Sequence, residues 1–185
     1  MNQVIALVGM CGSGKSVCCE VFKECGWEYV YFGGVTMKEL AARGLEKNEP
    51  NERMVREELR RVHGPAAFAK LLLPEIREKA EKNPVCLDGL YSWSEWKVLR
   101  EALGESLTVL AIITERKTRY ARISQRVIRP LTPAEAESRD IAEIENMEKG
   151  GPIAMADLFL YNDGDIQSFR QRTEEIIARA EAGTL

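Results

Sequence analysis

Eight residues near the start of the chain, Gly9-Met10-Cys11-Gly12-Ser13-Gly14-Lys15-Ser16, fit the pattern G-x-x-x-x-G-K-[ST]. A cradle for a polyphosphate needs a backbone that curls around it with its N–H groups pointing inward. Glycines permit the dihedrals and the close approach. A helix that follows adds unpaired N–H groups and the positive end of its dipole. In this pattern the lysine, Lys15, reaches the β- and γ-phosphates, and the hydroxyl of Ser16 ligates Mg²⁺. Average composition alone produces such a match in roughly 1% of chains this long. Its context is more specific, because it follows the apolar run Val4–Val8 and opens a helical pattern. The loop, Gly9 to Val17, is therefore expected to bind a nucleoside triphosphate, Mg-ATP, with Lys15 acting on the transferring phosphate.

Glycine-bounded Val4–Val8 reads as a strand buried on both faces, as in a parallel sheet. A helix is expected from about Gly14 to Cys25, with Gly26 as its C′ glycine. Tyr29 to Phe32, Val85 to Asp88, Leu107 to Ile113 and Leu158 to Tyr161 are four more strands. Between them lie a mostly helical stretch over about 35–82, with Pro65 in the first turn of its third helix, and a helix capped by Ser92 running to Leu103. Two helices and a small Gly150-Gly151-Pro152 turn precede the last strand, and a terminal amphipathic helix begins near Ile166. Strands alternating with helices predict an α/β fold with a doubly wound parallel sheet covered on both faces.

Composition narrows the function classes. At 185 residues, 45% apolar and 30% charged, the chain is expected to form one globular unit. A net charge of -3 gives no support to a nucleic-acid partner. The longest apolar runs are too short to cross a bilayer, and no signal peptide is expected at the N-terminus. Five cysteines without a C-x-x-C pair point to reduced thiols in a cytoplasmic protein. Cys11 within the loop is either incidental or a thiol activated by the helix N-terminus. The lone histidine, His63, is expected to be structural or solvent-facing.

Asp88 ends its strand beside the phosphate loop, where Mg²⁺ and its waters need a carboxylate. The plain alternative is an aspartate that opens the Asp88-Gly89 turn. Residues 115–130 carry six basic side chains against one acid. As a helix, they bring Arg119, Arg122, Arg126 and Arg129 within about an 80° arc, beside an apolar stripe of Tyr120, Ile123 and Val127. Arginines there suit the charge of phosphoryl transfer. They would equally suit a solvated face pairing with the acidic segment Glu135, Glu137, Asp140, Glu143, Glu145 and Glu148. Tyr91, Trp93 and Trp96 would stack an aromatic acceptor, face a partner or simply pack.

Taken together, the phosphate loop, Asp88-Gly89 with Ser92, Lys117 to Arg122, and Ile153 to Asp157 running into Asn162-Asp163-Gly164 resemble the P-loop nucleotide kinases. The resemblance is closest to the dephospho-CoA kinase-like and adenylate kinase-related group. It implies a P-loop NTPase three-layer α/β/α fold with a five-stranded parallel sheet, its core spanning about 1–33, 84–114 and 152–185. It also implies a helical acceptor-binding insertion over about 34–83 and a helical lid over about 115–150. Adenine would lie near Asn162-Asp163-Gly164, residues that taken alone read as an ordinary turn. Arg119, Arg122 and Arg126 would serve catalysis, and Ser16 and Asp88 the metal. The implied partner is a small-molecule phosphoryl acceptor, the chain being a monomer or homodimer with no nucleic-acid or membrane partner.

The chain departs from that group in the acceptor site. Relatives usually place an aspartate, often followed by an arginine, after the second strand; here stands Phe32-Gly33-Gly34-Val35-Thr36-Met37-Lys38. They also tend to carry an arginine where this chain has Tyr91. Lys38, Arg53, Arg56 or Arg60 would have to substitute for the arginines, with Asp88 orienting the acceptor hydroxyl. Otherwise the acceptor is not a nucleoside monophosphate, or the chain is an ATP-binding regulatory module or ATPase.

Overall fold

A computed structural model describes residues 1–185. Five parallel strands form one sheet: β1 (Val4–Val8), β2 (Glu28–Tyr31), β3 (Val85–Asp88), β4 (Leu107–Ile113) and β5 (Leu158–Tyr161), in the order β2-β3-β1-β4-β5. Every residue of β1 is fully buried, because neighbouring strands flank it and helices cover both its faces. One face carries Ile5, Leu7, Cys86, Leu110 and Leu160 against α1 (Lys15–Glu24) and α9 (Ile166–Glu181). The other carries Val4, Ala6, Val8, Leu87 and Val109 against helices including α4 (Ala67–Lys82) and α5 (Trp93–Leu103). This is the expected three-layer α/β fold. Burying each such aliphatic side chain stabilises it by about 1.5–3 kcal/mol.

Between β2 and β3 the chain forms α2 (Gly34–Ala42), α3 (Glu49–His63) and α4. Asn48 caps α3 by accepting from the Asn51 N–H. Pro65 stands in the turn before α4 rather than in its first turn, and Pro74 lies inside that helix. Ser92 caps α5 in a reciprocal capping box with Glu95, as the sequence predicts.

Between β4 and β5 lie α6 (Arg116–Ser124), α7 (Pro133–Glu145) and α8 (Gly150–Ala154). Two expectations fail here. The basic helix stops at Ser124, so Arg126 and Arg129 lie beyond it and the continuous arginine arc does not form. Pro130 disfavours helical backbone at Arg129, which instead adopts φ 53°, and the chain turns back into α7. Gly150-Gly151-Pro152 is a short helix, not an isolated turn.

Strand register sets the functional end of the sheet. Leu7 pairs with Asp88, Tyr31 pairs with Asp88, and Ile113 pairs with Tyr161. The phosphate loop, Gly33, Asp88, Thr114 and Asn162 therefore all emerge at the carboxyl ends of the strands, where α/β sheets place their ligands.

Candidate functional site

The phosphate loop has the backbone its glycines imply. Gly9, Gly12 and Gly14 adopt φ of 146°, 82° and 105°. A Cβ on Gly9 would lie 2.6 Å from the Ile112 carbonyl oxygen, and one on Gly14 would lie 2.1 Å from Asn162 Nδ2. Neither position accepts a side chain without moving the loop.

Struts from three other elements hold the loop's carbonyls. Asn162 Nδ2 donates to the Ser13 carbonyl at 2.8 Å, and the Thr114 hydroxyl lies 3.0 Å from the same oxygen. Arg119 donates to the Cys11 carbonyl at 3.0 Å. Of the loop's own N–H groups, that of Ser13 bonds the Met10 carbonyl at 3.2 Å and that of Val17 the Gly14 carbonyl at 3.1 Å, while those of Gly12, Gly14, Lys15 and Ser16 make no backbone hydrogen bond and are free for an anion. Lys15 Nζ donates to the carbonyls of Gly9 and Met10 at 2.7 and 3.1 Å. Burial, helped by the nearby Lys149 charge, lowers its pKa to about 8. The buried Ser13 hydroxyl has no partner. Ser16 is exposed at the first turn of α1, and Val17 is half-buried against the core behind it. A cradle that excludes Cβ atoms, an orphaned hydroxyl and a half-buried cation together fit a bound polyphosphate.

The expected arginines divide. Arg119 is buried and grips Asp140 with both terminal nitrogens at 2.9 and 2.6 Å. In this structure it is a strut for the loop and not a guanidinium offered to phosphates, because α7 packs on α6 and brings Asp140 over it. Arg116 likewise meets Glu137, so part of the basic face pairs with the acidic segment. Arg122 keeps one buried nitrogen without a partner, the other lying 3.5 Å from Asn162 Oδ1. Arg126 points to Cys11 Sγ at 3.6 Å.

Asn162 is buried and committed to the loop, so it does not project toward a base. Asp163 accepts from the Glu115 N–H at 3.0 Å, and Gly164 is exposed beside it. Asp88 accepts from the Tyr29 hydroxyl at 2.7 Å through one of its two oxygens.

A group that sequence reasoning missed joins the loop from α7 and α8. Lys149 is 2% exposed, bonds Glu143 at 2.7 Å and sits 5.1 Å from the Tyr91 ring centre. Burial works against the Glu143 carboxylate, but Lys149 and Arg139 outweigh it and hold its pKa below the ordinary value. Lys149 follows an irregular turn and has no motif to mark it. Only its burial beside Lys15 shows its importance.

Next to this cluster opens a cavity of about 630 Å³, lined by residues of both helical insertions and by Tyr31, Gly33 and Tyr91. The rings of Tyr31 and Tyr91 lie against the backbone of Gly33 and Gly89. A Cβ on Gly33 would lie 2.3 Å from the Tyr31 ring, and one on Gly89 would lie 2.8 Å from Tyr91. Of the proposed substitutes, Arg56 and Arg60 line the cavity; Lys38 instead pairs with Glu75 and Arg53 with Glu57. Trp93 and Trp96 stack on each other at 4.5 Å, with Gly151 packed against Trp93, and neither lines the cavity.

Comparison with known proteins agrees with this architecture. A UPF0200 protein of Thermococcus gammatolerans is 33% identical over 181 residues, covering 96% of this chain and 95% of that one. A UPF0200 protein of Thermococcus onnurineus is 34% identical over 181 residues, covering 96% and 97%. No protein-family model matches. Among solved structures, a shikimate kinase from Bacteroides thetaiotaomicron superposes with TM-score 0.59 at 16% identity, covering 95% of this chain and 98% of that one. A gluconokinase from Sinorhizobium meliloti does so with TM-score 0.58 at 14% identity, covering 97% and 94%. A dephospho-CoA kinase from Campylobacter jejuni gives TM-score 0.55 at 18% identity, covering 97% of each. At these identities the likeness establishes a shared fold.

Proposed function

The chain belongs to the UPF0200 family, and on that footing we propose that it is an ATP-dependent phosphotransferase acting on a small molecule held in the 630 Å³ cavity. The observation that carries this reading is the meeting of two sites. Lys15, in the phosphate loop, lies within the charge field of Lys149, Glu143 and Asp88, and Glu143 lines the cavity. A donor phosphate on the loop and an acceptor in the cavity would thus face each other.

In this reading the free N–H groups within Gly9 to Val17 hold the polyphosphate, and Lys15 leaves the Gly9 and Met10 carbonyls to neutralise it. Ser16 and Asp88 would hold Mg²⁺, a cation that commonly keeps waters and shares phosphate oxygens with few protein ligands. When bound, ATP supplies the phosphoryl group and Mg²⁺ offsets its charge. Arg122 and Arg126, from the segment 115–150 acting as a lid, and Lys149 stabilise charge on the transferring group. Arg119 positions the loop through Cys11. Adenine would lie beside Asp163 and Gly164. Asp88 takes the acceptor's proton. Five free thiols suit a cytoplasmic protein.

A second reading has its own support. Gly33, Gly34 and Tyr91 stand where nucleotide kinases tend to keep acceptor-binding residues. That favours a module that couples ATP occupancy to a partner without transferring phosphate. An ATP-dependent screen of hydroxylated acceptors, including nucleoside monophosphates and dephospho-CoA, separates the two. The kinase reading expects a phosphorylated product that disappears in Lys15→Ala. Tight ATP binding with no product from any acceptor would favour the module.

A further inference from the structure

Three helices of the first insertion converge on the cavity floor: α2 supplies Thr36, α3 supplies Arg60 and α4 supplies Phe68. The cavity wall carries four arginines and three glutamates, which leaves one positive charge uncompensated. Ion pairs identify it. Arg56 is bonded to Glu49 and Glu52, Arg129 lies 3.7 Å from Glu49, and Arg139 meets Glu143 at 3.3 Å. Arg60 makes no ion pair or side-chain hydrogen bond; its guanidinium lies 5.0 Å from the centre of the Phe68 ring. Burial lowers its pKa. Glu95 lies behind it and attracts its charge without a hydrogen bond: Glu95 Oε2 is taken by the N–H groups of Tyr91 and Ser92, Oε1 has no partner, and burial pushes that carboxyl up to about 7. Thr36 is 1% exposed and its hydroxyl has no partner. A buried orphan hydroxyl and a half-buried unpaired guanidinium on one cavity wall form a polar pair waiting for a ligand.

We propose that this cavity binds a hydroxylated carboxylate, with the carboxylate on Arg60, a polar group on Thr36 and the apolar body against Phe68 and Met37. The identification deepens the phosphotransferase reading and rests on it for the transfer step. A planar guanidinium matches a carboxylate in a two-point hydrogen bond. A phosphate monoester carries close to two charges at neutral pH and would need a second free cation. The other three arginines each lie within 4 Å of a glutamate, Arg56 and Arg129 sharing Glu49 and Arg139 sharing Glu143 with Lys149, so Arg60 is the cavity arginine without one. In the transfer, the acceptor's hydroxyl oxygen bonds to the γ-phosphorus of ATP and the bond from that phosphorus to the β-phosphate oxygen breaks. ADP leaves with the electron pair, and the hydroxyl proton passes to Asp88.

Binding is measured by calorimetry on the full chain saturated with magnesium and the non-hydrolysable analogue β,γ-imido-ATP. The probes are glycerate, gluconate and shikimate, against AMP, CMP and UMP. We expect a hydroxy-carboxylate to bind, with affinity lowered about 10–100-fold in Arg60→Met, partly restored in Arg60→Lys, and lowered several-fold in Thr36→Val. Affinity for the ATP analogue stays unchanged in all three variants, which separates a lost contact from a lost fold. Equal carboxylate affinity in wild type and Arg60→Met, binding of monophosphates alone, or no binding by any carboxylate overturns the proposal. Arg60-dependent carboxylate binding without phosphorylated product would instead leave the site standing and remove the kinase reading.

Discussion

Arg119 on α6 holds Asp140 on α7 through both terminal nitrogens, at 2.9 and 2.6 Å, and one of those nitrogens also bonds the Cys11 carbonyl. One buried pair thus ties the second helical insertion to the phosphate loop. Removing either partner strands a charge out of water, so Arg119→Met and Asp140→Ala should each destabilise the protein by about 3–5 kcal/mol in urea titrations. The double variant Arg119→Met/Asp140→Leu should lose less than the sum, because no charge is left behind. It should still bind ATP more weakly, since the Cys11 carbonyl has lost its anchor. Additive stability losses would show that the two residues do not act as a pair.

The lowered pKa of Lys15, about 8, gives nucleotide binding a pH signature. Below pH 8 the amine is already protonated and affinity should be flat from this source. A bound polyphosphate raises the pKa, so above pH 8 binding takes up a proton and affinity falls, approaching tenfold per pH unit. Calorimetry at pH 8.5 in buffers of different ionisation enthalpy should show this uptake. The same affinity at pH 7.5 and 9 would contradict it.

Legibility in the sequence followed the range of the interactions. The five strands and the loop could be read because their signals are local: an apolar run between glycines, and a lysine at fixed spacing from them. The end of α6 was misplaced because periodicity continued through Arg126 and Arg129, whereas the backbone answered to Pro130 and to the packing of α7. For Arg119 the sequence leaves two partners open, phosphates or the acidic segment, and the structure pairs it with Asp140 of that segment. Its distance to Asp140 spans 21 residues and depends on how two helices dock. Asn162 was placed at the nucleotide site for its adenine, yet its amide reaches across 149 residues to Ser13. Lys149 left no signal, since a lysine before two glycines resembles any surface turn.

Lys149 should matter to turnover more than to ATP affinity. A buried ammonium beside the P-loop lysine is placed to stabilise charge as the phosphoryl group moves. Lys149→Met should lower kcat of the phosphotransferase by on the order of 100-fold, with ATP affinity changed only a few-fold. It also removes a like charge that depresses Lys15, so the pH at which ATP affinity begins to fall should move above 8. A merely structural lysine would lower melting temperature without moving that break.

Glu95 provides a pH test of the fold itself. It is fully buried under the start of α5, its Oε1 has no partner, and burial raises its pKa from 4.5 to about 7. The folded state therefore binds this proton more tightly than the unfolded state. Its contribution to stability is fully present below pH 4.5 and is lost as pH rises through 7. Between pH 5.5 and 8 the loss should amount to about 2 kcal/mol, at roughly 1.4 kcal/mol per pKa unit. Glu95→Gln keeps an oxygen to accept the Tyr91 and Ser92 N–H groups and carries no charge. Its urea-unfolding free energy should vary less over this range than that of the wild type, and it should be the more stable of the two at pH 8. A wild type equally stable at pH 5.5 and 8, or a variant with the same pH slope, would mean that the Glu95 carboxyl is not held as this geometry requires.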